Sequence, residues 1–96
     1  MAVGDYVNGV NATAGVGYYN FQPSSGVTIV VISAFPTGNS GNIGLTDGTR
    51  FASQTSANGN NFVNVRLVVT NTNYLRIYSS AGDSTNSSCY SGIQTV

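Results

Sequence analysis

Strand-forming residues in this chain come in short runs, and Gly, Asn and Ser break every run after about five to nine residues. That spacing is the tightest constraint on the fold. Val, Ile, Thr, Tyr and Phe fit a pleated, half-buried surface, and turn signals every 8–12 residues or so are the pattern of an all-β sandwich or barrel. No window carries an apolar period of 3.6 residues, and 12 glycines are scattered through the chain, so helix is disfavoured throughout.

Eight strands are expected. The first is weak, near residues 6–10. The second covers 15–22, with Val16, Tyr18, Asn20 and Gln22 on one face and Gly17, Tyr19 and Phe21 on the other. A turn at Pro23-Ser-Ser-Gly26 leads to the third, 27–35, which is apolar on both faces and therefore central. The fourth and fifth, 42–45 and 49–53, are joined around Asp47-Gly48. A two-residue loop there sets Leu45 opposite Arg50 and Ile43 opposite Ala52. A three-residue loop, Thr46-Asp47-Gly48 with Gly48 left-handed, sets Ile43 opposite Phe51. The second register keeps the large apolar residues on one face and is preferred. The strongest hairpin signal joins 62–70 to 74–80, pairing Leu67 with Leu75 and Val65 with Ile77. That register places Arg66 opposite Arg76, an unfavourable like-charge pair unless an Asp or a neighbouring subunit intervenes or the register slips by two. A last strand covers 89–96, with Tyr90 and Ile93 buried.

The expected fold is one antiparallel β-sandwich over residues 1–96, jelly-roll-like. Residues 1–11 form an arm or edge strand, and residues 89–96 form a C-terminal edge strand. Such exposed edges are available for strand addition by a partner.

Chemistry is nearly absent from the side-chain inventory. Only 6% of residues are charged, and the formal net charge is zero. The ionised groups are Asp5, Asp47, Asp83, Arg50, Arg66 and Arg76; Lys, Glu, His and Trp do not occur. Without His there is no Ser-His-Asp or Cys-His pair. Without Lys there is neither Schiff-base chemistry nor a phosphate-loop lysine. Asp47 and Asp83 form the only plausible glycosidase couple, and both sit in expected turns, where Asp serves the backbone. Loop oxygens with either Asp make at best a weak calcium site. No cofactor is expected. Three dispersed Arg do not make a phosphate-binding cluster, so nucleic acid is not an expected partner. No apolar stretch approaches the ~20 residues of a membrane span, and the opening residues lack a signal-peptide pattern.

Disorder is excluded by the opposite balance: 41% of residues are hydrophobic and net charge is nil. The single cysteine, Cys89, allows no internal disulfide and reads as a small apolar core thiol. The sequons Asn11-Ala-Thr13 and Asn86-Ser-Ser88 read as chance products of a chain that is about one-third Asn, Ser and Thr. Tyrosines carry more information, since Tyr is apolar on its face and hydrogen-bonding at its tip. Tyr6, Tyr74, Arg76, Tyr78 and Tyr90 are the candidate partner-contact residues, with Tyr74, Arg76 and Tyr78 forming a stripe on one strand face.

Four segments, Tyr19-Asn-Phe-Gln-Pro-Ser-Ser-Gly-Val27, Leu45-Thr-Asp-Gly-Thr49, Asn73-Tyr-Leu-Arg-Ile77 and Tyr90-Ser-Gly-Ile-Gln94, stand beside the opening Met1-Ala-Val-Gly-Asp5. Together they resemble short virion proteins of tailed bacteriophages, especially marine and cyanobacterial ones. The resemblance implies a capsid decoration, or cement, protein: a small β-sandwich, commonly a homotrimer, seated on the capsid exterior where major capsid subunits meet. It also implies synthesis in a host cytoplasm and self-association beside binding to the major capsid protein. With so few charges, attachment is expected to depend weakly on salt. The competing expectation is a tail- or fibre-associated module that binds host-surface glycans.

Overall fold

The structure is a computed structural model that describes residues 2–11, 16–37, 41–55, 62–80 and 88–96. Its elements are eight strands: β1 (Tyr6–Val10), β2 (Gly17–Phe21), β3 (Ile29–Phe35), β4 (Asn42–Thr46), β5 (Phe51–Thr55), β6 (Phe62–Val69), β7 (Tyr74–Ser79) and β8 (Cys89–Gln94). They form two four-stranded antiparallel sheets packed face to face. Sheet A has the order β1-β8-β3-β6 and sheet B the order β2-β7-β4-β5. This is the strand order of an eight-stranded jelly roll, two interlocked Greek keys. The all-β sandwich expected from the sequence is what the chain adopts.

Period-two patterning explains which residues face inward. From sheet A, Val7, Ile29, Val31, Ala34, Val69 and Tyr90 enter the core; from sheet B come Ile43, Leu75 and Ile77. Tyr19, Phe21, Val27, Leu45 and Leu67 pack around them. Each such aliphatic side chain, fully buried, contributes about 1.5–3 kcal/mol of hydrophobic free energy. As expected, β3 is central, lying between β8 and β6. A bulge between Val31 and Ser33 interrupts its pairing with both neighbours. The extra residue keeps Val31 and Ala34 both inward and turns Ile32 outward, 39% exposed.

Three expectations are corrected. The 62–70 and 74–80 segments do not form a hairpin. β6 pairs only with β3, and β7 pairs with β2 and β4, so the chain crosses from sheet A to sheet B between them. Leu75 lies opposite Leu45 and Phe21, and Ile77 opposite Ile43 and Tyr19. Alternation marks a buried face but does not say which strand lies alongside, and two such faces are equally well buried by facing each other across a sandwich. The Arg66–Arg76 conflict disappears, because the two residues lie on opposite outer surfaces. Second, the β4–β5 register matches neither sequence alternative: Thr46 pairs with Phe51, Leu45 with Ala52 and Ile43 with Gln54. The loop has four residues, 47–50, because the Asp47 carboxylate organises it. Asp47 Oδ1 accepts from the amides of Thr49 (2.9 Å) and Arg50 (2.8 Å), and Gly48 takes the positive φ of 97°. Third, residues 89–96 are not an edge. β8 lies between β1 and β3, satisfying backbone groups on both sides. β1 is an edge strand, as expected, together with β6, β2 and β5.

The Pro23–Gly26 turn is made by Ser24, Ser25, Gly26 and Val27. The Val27 amide donates to the Ser24 carbonyl at 3.0 Å, and Gly26 has φ 83°, the geometry of a type II turn. Pro23 precedes it and is buried.

Candidate binding surfaces

The register of the two sheets fixes two outer faces. On sheet A the outward residues align in rows across the strands. Tyr6, Ile93, Val30 and Val68 form one row. Asn8, Ser91 and Ser33 form the next, with the two serine hydroxyls 2.7 Å apart. Val10, Cys89 and Phe35 form a third. Tyr6 is 82% exposed, Val10 69% and Val68 54%. Within these rows there is no Asp or Arg; Arg66, exposed on the edge strand β6, points out from the same face beside the β3 bulge. A largely apolar sheet face with so few charges is the kind of surface that a further protein layer covers.

The outer face of sheet B has a different character. Asn20, Arg76, Gly44 and Ser53 align across its middle. Tyr18, Tyr78 and Asn42 align on one side, and Tyr74, Thr46 and Phe51 on the other. Gly44 has no side chain and lies buried, so rings from the two edge strands meet above it. Tyr18 and Phe51 approach to 6.0 Å between centroids, edge to face, and Tyr18 and Tyr78 to 5.3 Å. The Arg76 guanidinium lies 4.8 Å from the Tyr18 ring centre and 5.6 Å from that of Phe51. Its Nε donates to Asn20 Oδ1 at 3.0 Å.

Four of the five sequence-chosen contact residues therefore reach a surface. Tyr74, Arg76 and Tyr78 share the outer face of sheet B, and Tyr6 is on that of sheet A. Tyr90 is the correction: it is 6% exposed and stacks on Phe21 with centroids 4.5 Å apart. On β8 its position has the inward phase, so an aromatic fills the core there. Burial, with the neighbouring Tyr19, pushes its phenol up to about 12. Ile93, expected in the core, has the opposite phase and faces out. Tyr18, Asn20 and Phe51 belong to the sheet B surface but were not singled out from sequence. The available signal was Gly44, a glycine inside an apolar strand, which marks a close approach.

Little else gathers into a reactive site. Asp47 accepts backbone amides, led by that of Arg50, and these hold its carboxyl below the ordinary value, the wrong direction for a general acid. Its ion pair with Arg50, 3.4 Å, is exposed and weak. Asp83, the other half of the carboxylate couple, lies outside the described residues. So do residues 12–13 and 86–87 of the two sequons. Among the described residues no three metal-ligating side chains gather, and no helix is long and apolar enough to cross a membrane. Cys89 lies on the outer face of sheet A, not in the core, half-covered between Val10 and Phe35; burial pushes its thiol up. A shallow cavity of about 270 Å³ is lined by Leu45, Thr46, Asp47, Arg50, Ala52 and Asn73 beside the β4–β5 loop. No family model, curated protein or solved structure matches the chain.

Proposed function

We propose that this chain is a non-catalytic virion structural protein, a capsid decoration protein of a tailed bacteriophage, which seats the outer face of sheet A on the major capsid subunits. One observation carries the reading: three aligned rows of outward residues, mostly apolar, on a four-stranded face whose one described charge is Arg66 and that no other part of the described chain covers. Such a face gains free energy by leaving water, at about 25 cal/mol per Å² of apolar surface, and its middle row of Asn8, Ser91 and Ser33 supplies directional hydrogen bonds. The phage resemblance of the four sequence segments names the host surface. Repetition of the capsid lattice multiplies a modest affinity at each site, and a chain of zero net charge loses little by being packed densely.

Quantitative mass spectrometry of purified phage particles, with electron cryomicroscopy to place the density, tests this. The expected result is on the order of hundreds of copies per particle, on the head, with sheet A toward the shell. Absence from the particle, or a copy number in the tens on the tail, would refute it. A native mass measurement on the isolated protein tests the implied trimer separately.

A further inference from the structure

The two outer faces differ in chemistry, and the sheet B face is unsuited to the same task. It bears a fixed cation surrounded by rings, and that combination selects a ligand. We propose that this face is a binding site for an acidic saccharide, a sugar ring bearing a carboxylate. Tyr18 is the platform and Arg76 the partner of the carboxylate.

Arg76 is held before any ligand arrives. Asn20 Oδ1 fixes Nε, and the Tyr18 and Phe51 rings flank the guanidinium. Five N–H donors belong to an arginine; Asn20 is the only acceptor on this one among the described residues. Both described carboxylates are engaged elsewhere: Asp5 Oδ2 accepts from the Ala2 amide at 2.8 Å, and Asp47 holds its own loop and Arg50. A planar guanidinium with free donors beside aromatic rings is matched to a carboxylate, which it binds through paired, charge-assisted hydrogen bonds. Cation–π contact orients it without neutralising it.

The platform has the second half of the chemistry. Tyr18 keeps 62% of its surface exposed even though three side chains touch it. The C–H face of a sugar ring packs on such a ring as apolar surface, and Tyr78, its ring 5.3 Å from that of Tyr18, brings a phenol to the side of it. Gly44, between the two aromatic rows, lets β4 and β5 approach closely, because an added Cβ would meet the Ala52 backbone. One cation and no basic track rule against a polyphosphate backbone. The site lies on the sheet opposite the proposed docking face, so each reading can fail alone.

Titrating isotope-labelled protein with oligogalacturonate, followed by amide NMR shifts, tests the site. Saturating shifts at residues 18, 20, 44, 76 and 78 are expected, with none on sheet A. Arg76→Gln should weaken binding about tenfold or more, equal to about 1.4 kcal/mol. The methyl-esterified oligomer should lose a similar factor, and Tyr18→Ser should weaken both ligands. Both side chains point to solvent, so spectra should show either variant folded; if Arg76→Gln is not, Tyr18→Ser and the esterified ligand still decide the matter. No saturable shift at millimolar ligand would overturn the proposal. So would equal affinity for the esterified ligand or for Arg76→Gln. Tighter binding at the same amides by a short peptide with a free C-terminus would replace the saccharide with a peptide ligand and overturn it as well.

Discussion

At Gly44 an added Cβ would run into the carbonyl oxygen of Ala52 and lie 2.8 Å from its carbonyl carbon. Those are backbone atoms of the paired strand and cannot swing aside. Gly44→Ala should therefore destabilise the fold by about 1–3 kcal/mol, measured by urea unfolding, by forcing β4 and β5 apart. Gly9 is a contrasting case: the nearest atoms to its added Cβ are Tyr90 Cε1 at 2.7 Å and Tyr19 Oη at 2.8 Å, both side-chain atoms. Tyr90 itself has a pH signature. Its folded pKa of about 12 exceeds the ordinary value of 10.0. A group whose folded pKa is raised contributes its stability in full below the unfolded pKa and loses it as pH climbs through the folded one. Stability should fall between pH 10 and about 12, and Tyr90→Phe should flatten that fall. Tyrosinate absorbance with parallel unfolding curves checks it; an unchanged alkaline slope in Tyr90→Phe would contradict the assignment.

The β4–β5 loop and β8 carry the predictions that belong to whole elements. Asp47 closes the loop through Oδ1, which an asparagine also possesses. Asp47→Asn should keep the loop while removing its acid sensitivity, and Asp47→Ala should lose both. Because the folded carboxyl titrates below its ordinary value of 3.8, its contribution is complete above that pH and disappears as pH falls through the folded pKa. Thermal melts of the two variants across the acid range separate them. For β8, removal of residues 89–96 deletes the strand that joins β1 to β3. It also removes Tyr90 from the core, so the truncated chain should not fold, as judged by amide dispersion. Removal of a true edge strand would leave the rest of its sheet paired.

Across the whole molecule, Cα atoms have a radius of gyration of 12.5 Å, about what a compact domain of this length has. The core is thin, with nine buried apolar residues among the described residues, and small domains of this kind gain much from added interface. Covering the Tyr6–Ile93–Val30–Val68 row would supply it. Attachment through that face should change little between low and moderate salt, because Arg66 is the one charge among its described outward residues. Val30→Asp should abolish attachment while the isolated protein stays folded, since Val30 points outward. Co-sedimentation of the protein with capsid particles over a salt series measures both. Release by moderate salt alone would show that charge holds the complex.

The amino-acid sequence by itself determined the layer and the phase. Short β-branched runs and frequent turns leave a strand sandwich as the way to bury them, and period-two alternation alone put Tyr19 and Phe21 on one face and Tyr18 and Asn20 on the other; the packing decided which face is buried. Scarcity of titratable side chains likewise pointed away from catalysis without coordinates. Tertiary structure decided the partners. Which strand lies beside β7, why residues 89–96 are interior, and how Tyr18 and Phe51 meet above Gly44 all depend on pairings between distant segments. Alternation is identical for every neighbour a strand can have, so only burial of both sheets at once chooses among them.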